Sequence, residues 1–289
     1  MYNTVNTLKL KSSGFVDPLK NIPDTPGCLY IKGTPLSLVM QLPRVAVVGS
    51  RKMDSYGRYV TAKLAGDLAK KGIVIISGLA LGVDALAHRS ALDARGVTVA
   101  VLPSGIEQVY PGTNARLAED ILQLGGTVLS ETDGIYAPHE YDFLKRNRLI
   151  SGLSQVVIVT QAAARSGSLN TARHALEQGR VVMAVPGPIN NPLSAGTNNL
   201  LKMGAHPVTD AQDVLHIMGL TELPRQQNLD LLARTADELT IIKALQQQAL
   251  STDQLVATSG LSYHTCITTL TVLEIENIIS VEGNIWSLC

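Results

Sequence analysis

A chain of 289 residues is long enough for one large core and a small second domain. Its 45% hydrophobic and 17% charged residues are those of a soluble globular protein, and Lys+Arg of 24 against Asp+Glu of 24 gives no whole-chain attraction for a polyanion. Cys28, Cys266 and Cys289 form an odd set without a C-x-x-C pair, which argues against a disulfide framework or structural zinc and fits a reducing cytosol.

No apolar run approaches the roughly 20 residues of a membrane helix, and MYNTVNTLKLK lacks a signal-peptide core. The expectation is a cytoplasmic protein without a membrane partner. Charge is uneven along the chain. Residues 1 to 230 hold 22 basic and 18 acidic side chains, whereas residues 231 to 289 hold 2 and 6, so the large part is +4 and the tail −4.

Residues 1 to 43 carry Pro18, Pro23, Pro26, Pro35 and Pro43 and read as an irregular lead-in, with a strand candidate at 28 to 31 that would add an edge strand. The pattern becomes regular at RVAVVGSR. Val45 to Val48 form a short apolar run without alternation, as in a central strand of a parallel sheet covered on both faces. Ligands of open α/β sheets bind outside the carboxyl ends of strands, and this end carries Gly49, Ser50, Arg51 and Lys52, which suit an anionic group. A dinucleotide is disfavoured because no G-x-G-x-x-G follows and the next strand ends in Ser77 and Gly78 rather than an acid. A P-loop lysine is missing as well.

Further strands are predicted near 73 to 76, 97 to 101, 127 to 129, 156 to 159 and 181 to 185. Helices are predicted over about 55 to 70, 83 to 94, 113 to 124, 140 to 152 and 168 to 177, stopping at Gly72, Gly96, Gly125 and Gly179. This βα alternation implies an extended Rossmann-like parallel sheet with helices on both faces, over residues 44 to 220. After PGPINNPLSAG come a short helix near 197 to 202, a strand at 206 to 208 and a closing helix at 211 to 218. A polar join over 219 to 232 leads to three short helical patterns and two apolar segments, a small winged-helix-like domain over 233 to 289. Its third helix, SYHTCITTLTVLEI, lacks Lys and Arg, which favours a protein-contact or regulatory role over duplex binding.

Several strand ends carry polar groups. Asp84 and His88 fall i,i+4 on one helical face and read as a pair holding the turn, since no third metal ligand is near. Tyr110 either stacks on a base or plugs its loop, and Thr113 is placed to cap the helix after it. Glu131 would be a ribosyl-hydrolase acid only with a partner carboxylate. In EYDFLKRNRLISGLS, Lys145, Arg146, Asn147 and Arg148 form the densest basic cluster, read either as a solvated face or as a ligand surface met by Lys145 and Arg148. Arg165, Ser166, Gly167 and Ser168 precede the next helix and form a candidate anion site. Repeated anion sites describe a track for a polymer backbone better than a pocket for one phosphate. No hydrolase elbow or metal cluster is visible, so a binding protein is favoured over an enzyme and no cofactor is expected.

The runs VAVVGSR, SGLALGVDALAHRSAL, YPGTNARLAEDI, GGTVLSE, FLKRNRLISGLS, ARSGSLNTARHALEQGRVVMAVPG and GTNNLLKMGA, in this order, resemble the core of the DNA processing protein family called DprA or Smf. The resemblance covers about residues 44 to 210. It implies a protein that binds single-stranded DNA, forms a homodimer, protects incoming strands in natural transformation and helps load a RecA-type recombinase. It carries the family's Gly-Ser-Arg turn onto Gly49, Ser50 and Arg51, its basic motif onto Arg146, Asn147 and Arg148 beside Lys145, and its Ser-Gly-Ser loop onto Ser166, Gly167 and Ser168. Phe143-Leu144 stands where members often have Phe-Pro, which implies a more helical local turn. Many members also carry a small helical domain at the N-terminus, and the expectation is that residues 1 to 43 are too short for all of it. A nucleotide-linked phosphoribohydrolase would want a P-G-G-x-G-T loop, and PGPINNP at 186 to 192 departs from it. A non-binding adaptor is the third alternative.

Overall fold

The structure, a computed structural model, describes residues 4–9, 18–20, 22–220, 235–275 and 278–288. The chain separates into two compact units, residues 1–223 and 224–289. Beyond Gly219 and Leu220, the polar join expected at 219 to 232 lies outside the described residues, as does Cys289.

The larger unit runs β1 (Asn6–Lys9), β2 (Cys28–Gly33), α1 (Leu36–Val39), β3 (Arg44–Val48), α2 (Ser55–Lys70), β4 (Val74–Ser77), α3 (Val83–Asp93) and β5 (Thr98–Gly105). It continues through α4 (Ala115–Gln123), β6 (Thr127–Thr132), α5 (Glu140–Gly152), β7 (Val156–Val159), α6 (Ser168–Glu177), β8 (Val181–Ala184), α7 (Ala195–Lys202), β9 (His206–Pro207) and α8 (Ala211–Ile217). The nine strands form one sheet in the order β1-β2-β6-β5-β4-β3-β7-β8-β9. β3 to β9 pair in parallel.

Two expectations change here. The sheet is mixed, because β1 pairs antiparallel with β2 and β2 antiparallel with β6. The lead-in strand at 28 to 31 is therefore not the edge; β1 covers it. The lead-in also supplies buried Leu29, Ile31, Leu36 and Val39, so it extends the core rather than merely preceding it.

Val45 to Val48 are at most 2% exposed, which accounts for the absence of alternation in that run. α2 lays Leu64, Ala65 and Leu68 against Val47 and Ile75. Each fully buried Val or Leu contributes about 1.5–3 kcal/mol, so this layer dominates the stability of the sheet centre.

Helix ends follow local chemistry with two departures. Gly72, Gly125 and Gly179 have positive φ, but at the end of α3 the left-handed residue is Arg95 (φ 59°), not Gly96. Gly96 is required by close approach instead, since a Cβ there would lie 2.6 Å from that of Ala69. Thr113 does not cap α4. A 3₁₀ turn, Gly112–Asn114, precedes that helix, and the Asn114 carboxamide donates to the Leu79 carbonyl at 2.8 Å.

The smaller unit contains α9 (Ala236–Gln247), β10 (Leu250–Ser251), α10 (Thr252–Ser259), α11 (Tyr263–Ile275), β11 (Ile279–Glu282) and β12 (Ile285–Leu288), with strand order β10-β12-β11. This is a winged-helix-like arrangement. Ile241, Ile242, Leu255, Leu270, Leu273 and Trp286 fill its core, and the Trp286 indole donates to Thr252 Oγ1 at 3.0 Å. Ser251 caps α10 with Gln254 reaching back to its amide, a reciprocal capping box.

Candidate functional site

From β3 the chain winds outward through β4, β5 and β6, and then crosses to β7 on the other side of β3. The gap between the carboxyl ends of β3 and β7 is thus a topological switch point, where an open sheet leaves room for a ligand. The turn after β3 is held there by backbone bonds. The Ser50 amide donates to the Gln161 carbonyl at 2.7 Å, and the Val83 amide donates to the Ser50 carbonyl at 3.1 Å. Gly82 (φ 79°) permits this contact, because a Cβ there would stand 2.3 Å from the Ser50 oxygen.

Ser50 is buried, and its hydroxyl accepts the Lys52 amide at 3.1 Å, so it shapes the turn. Arg51 and Lys52 are exposed. Asp54 then caps α2 by accepting the Gly57 amide at 2.8 Å. It also accepts the Gln161 carboxamide at 2.8 Å and that of Asn191 at 2.7 Å. The Gly57 amide foremost, then Gln161 and Asn191, hold the Asp54 carboxyl below its ordinary range.

Arg51 projects over the Phe143 ring, with its guanidinium carbon 4.8 Å from the ring centroid. Tyr110 meets Phe143 edge-on, the centroids 5.6 Å apart and the rings inclined at 69°. Three elements distant in sequence therefore build one cationic and aromatic surface. Phe143 lies inside α5, consistent with the helical turn expected where Phe-Leu replaces Phe-Pro.

The basic cluster of α5 divides by direction. Lys145 is half-buried, with its Nζ 3.7 Å from Glu131 Oε1. Arg146, 5% exposed, turns inward and donates from Nη1 to the carbonyls of Gly78 and Val101. Its guanidinium fills the space where a Gly78 Cβ would stand. Burial pushes Arg146 down to about 10, Asp84 opposes that push and the Arg51 charge adds to it. Asn147 donates to Asn170 Oδ1 at 3.3 Å and to the Gly167 carbonyl at 3.4 Å, which ties α5 to the loop before α6.

Arg148, 3% exposed, donates from Nη2 to both Glu131 oxygens at 2.8 Å and from Nε to Asp24 Oδ2 at 3.0 Å. The solvated-face reading of α5 therefore fails for Arg146, Asn147 and Arg148, because these three side chains are themselves buried and Arg146 and Arg148 are held by backbone carbonyls and carboxylates. Arg148 does not share an open surface with Lys145; the two share Glu131. For the same reason Glu131 is a paired counter-ion rather than a lone acid.

At the end of β7, Arg165 and Gly167 are exposed. Ser166 and Ser168 hydroxyls lie 2.8 Å apart, and the Leu169 and Asn170 amides bond to the Ser166 and Gly167 carbonyls. The helix start is therefore already partly satisfied, and Arg165 is the group it offers outward. Behind the rim, Asp84 accepts the Gly78 amide at 3.1 Å. His88 Nδ1 lies 2.7 Å from Thr98 Oγ1, and burial holds this imidazole down at about 3, hence neutral. Asp84 thus secures the turn, whereas His88 ties α3 to β5. Among the described residues no three His, Cys, Asp or Glu side chains gather as a metal site.

Sequence reasoning missed Phe143 and the Asp54–Gln161–Asn191 hub. The signal available for Phe143 was scarcity: the chain has two phenylalanines, and one stands two residues before the first cation of the basic cluster.

The fold and this rim define a doubly wound α/β protein with exposed cations and an aromatic pair at its switch point, accompanied by a winged-helix unit. Residues 6–219 match the family described as DNA recombination-mediator protein A, and residues 225–283 match the DprA winged helix domain. The chain belongs to the DprA/Smf family of DNA processing proteins. It is 42% identical over 243 residues to Protein Smf of Escherichia coli (strain K12), covering 78% of this chain and spanning 64% of that protein's length. The X-ray structure of DNA processing protein A from Streptococcus pneumoniae superposes with a TM-score of 0.69 at 39% identity, covering 74% of this chain and 75% of that one. DNA processing protein A from Helicobacter pylori, described for its unique single-stranded DNA binding mode, gives 0.65 at 34% identity, covering 74% of this chain and 95% of that one.

Proposed function

We propose that the switch-point rim binds single-stranded DNA, with Arg51 making the central phosphate contact from the turn that Gly49 and Ser50 shape, and with Lys145, Arg165 and the Ser166-Gly167-Ser168 loop extending it. Arg146, Asn147 and Arg148 support this surface from within. The observation that carries the reading is the Arg51–Phe143–Tyr110 cluster: a fork for phosphate beside an aromatic face for a base. At an exposed site the cation–π contact is worth about 0.5–1 kcal/mol, little enough for Arg51 to engage phosphate as well. The family supplies the context. The chain acts as a cytoplasmic homodimer in DNA processing during natural transformation, protects incoming strands and helps load a RecA-type recombinase, without catalysing a reaction of its own.

Fluorescence anisotropy with matched single-stranded and blunt duplex oligonucleotides at several salt concentrations tests the binding. Flexible strands should bind at least about tenfold more tightly than duplex, with log affinity falling by roughly 0.7 per log unit of salt for each phosphate engaged. Arg51→Ala should weaken binding by about tenfold or more and Arg51→Lys should recover part of it, because the lysine keeps charge but loses the fork. Equal affinity for duplex and single strand would sink the reading.

A further inference from the structure

The outer face of α2 carries a groove of about 600 Å³ lined by Ser55, Arg58, Tyr59, Ala62, Lys63, Gly66, Asp67 and Lys70. The three- and four-residue spacing of 55, 59, 62, 66 and 70 makes this one continuous stripe along the helix. Its composition is not that of an ordinary solvated face. Tyr59 is 64% exposed, and Ala62 and Gly66 form a floor without long side chains. Lys63 is neutralised by Asp67 at 2.8 Å. Arg58 and Lys70 have no ion-pair partner among the described residues and stand near opposite ends of the groove, about 18 Å apart along the helix.

The groove also continues the rim. Ser55, at its start, directly follows Asp54, whose bonds to Gln161 and Asn191 fix the opening of α2, and Arg51 lies three residues before that cap. We propose that this groove is a second nucleic-acid subsite, in which Arg58 and Lys70 hold backbone phosphates of nucleotides flanking those bound at Arg51 and Tyr59 offers a stacking face. The inference rests on the single-strand reading above. It assigns the groove to a polyanion because unpaired cations at its two ends bracket an aromatic ring and a flat floor, and because one end opens beside the primary phosphate contact.

The test compares Arg58→Glu/Lys70→Glu, and the milder Arg58→Gln/Lys70→Gln, with the unaltered full chain on oligothymidines of about 6 and about 25 nucleotides. Both substituted residues are exposed, and melting curves confirm folding. The charge-reversed protein should bind the long strand about tenfold more weakly and the short one within about twofold, and the Gln variant should lower the long strand's salt slope by roughly 0.7 per lost contact. Unchanged affinity for both lengths in a folded variant overturns the proposal, whether the groove then proves to hold an acidic protein segment or a second copy of the chain by light scattering. An equal loss on both lengths also overturns it, by merging the groove with the primary site. Arg51→Ala separates the two levels: it should weaken both lengths, and if it weakens neither, the single-strand reading itself falls.

Discussion

The turn after β3 and the basic run of α5 are the two cation-rich regions of the rim, and they use their charge in opposite ways. Arg51 is exposed and lies over Phe143, whereas the buried Arg146 and Arg148 spend their donors on Gly78, Val101, Glu131 and Asp24. The lesson is that an arginine's role is decided by which acceptors lie within reach of its fork, not by local charge density. In the proposed reading the first region meets the ligand, and the second ties the strand ends together behind it.

The sharpest way to break this comparison is Arg146→Ala. Removing one partner from a buried network leaves the Gly78 and Val101 carbonyls unsatisfied and Asp84 without its counter-charge, so stability should fall by about 3–5 kcal/mol in denaturant titration. A fully stable Arg146→Ala that loses oligonucleotide affinity would instead place this residue on the ligand surface.

His88, packed in the same interior, sharpens the contrast through pH. Its folded value, pushed down to about 3 by burial, lies below the ordinary 6.5, so the unfolded chain binds the extra proton. The stability this contributes is fully present above about 6.5 and is lost as pH falls toward 3, by up to about 1.4 kcal/mol per pH unit. Chemical denaturation between those pH values should show a shallower acid slope in His88→Gln; identical slopes would mean that the histidine does not carry it.

Smaller effects belong to the outward groups. Lys145→Ala should weaken oligonucleotide binding only a few-fold, because Lys145 is half-buried beside Glu131, with a melting shift near zero. Least of all should follow from removing residues 224–289, a unit whose α11 presents neither Lys nor Arg. Affinity within a few-fold of the full chain is expected by anisotropy, and a hundredfold loss would move nucleic-acid contacts into the winged-helix unit.

What the sequence by itself determined is local. The apolar runs, the helical stretches and caps such as Ser251 are legible because they depend on periods of two and 3.6 residues and on neighbours a few positions away. The Gly-Ser-Arg turn at a strand end is legible for the same reason, and with it Arg51, on which the proposed site rests. Only the tertiary structure decided the strand order, the antiparallel seat of β2 between β1 and β6, and the inward course of Arg146 and Arg148. Those outcomes depend on partners far away in the chain: Val101 and Gly78 lie 45 and 68 residues from Arg146, and Asp24 lies 124 residues from Arg148. Charge and spacing on α5 do not encode such distances, because a guanidinium turns toward whichever carbonyl or carboxylate the packed fold brings within reach of its donors.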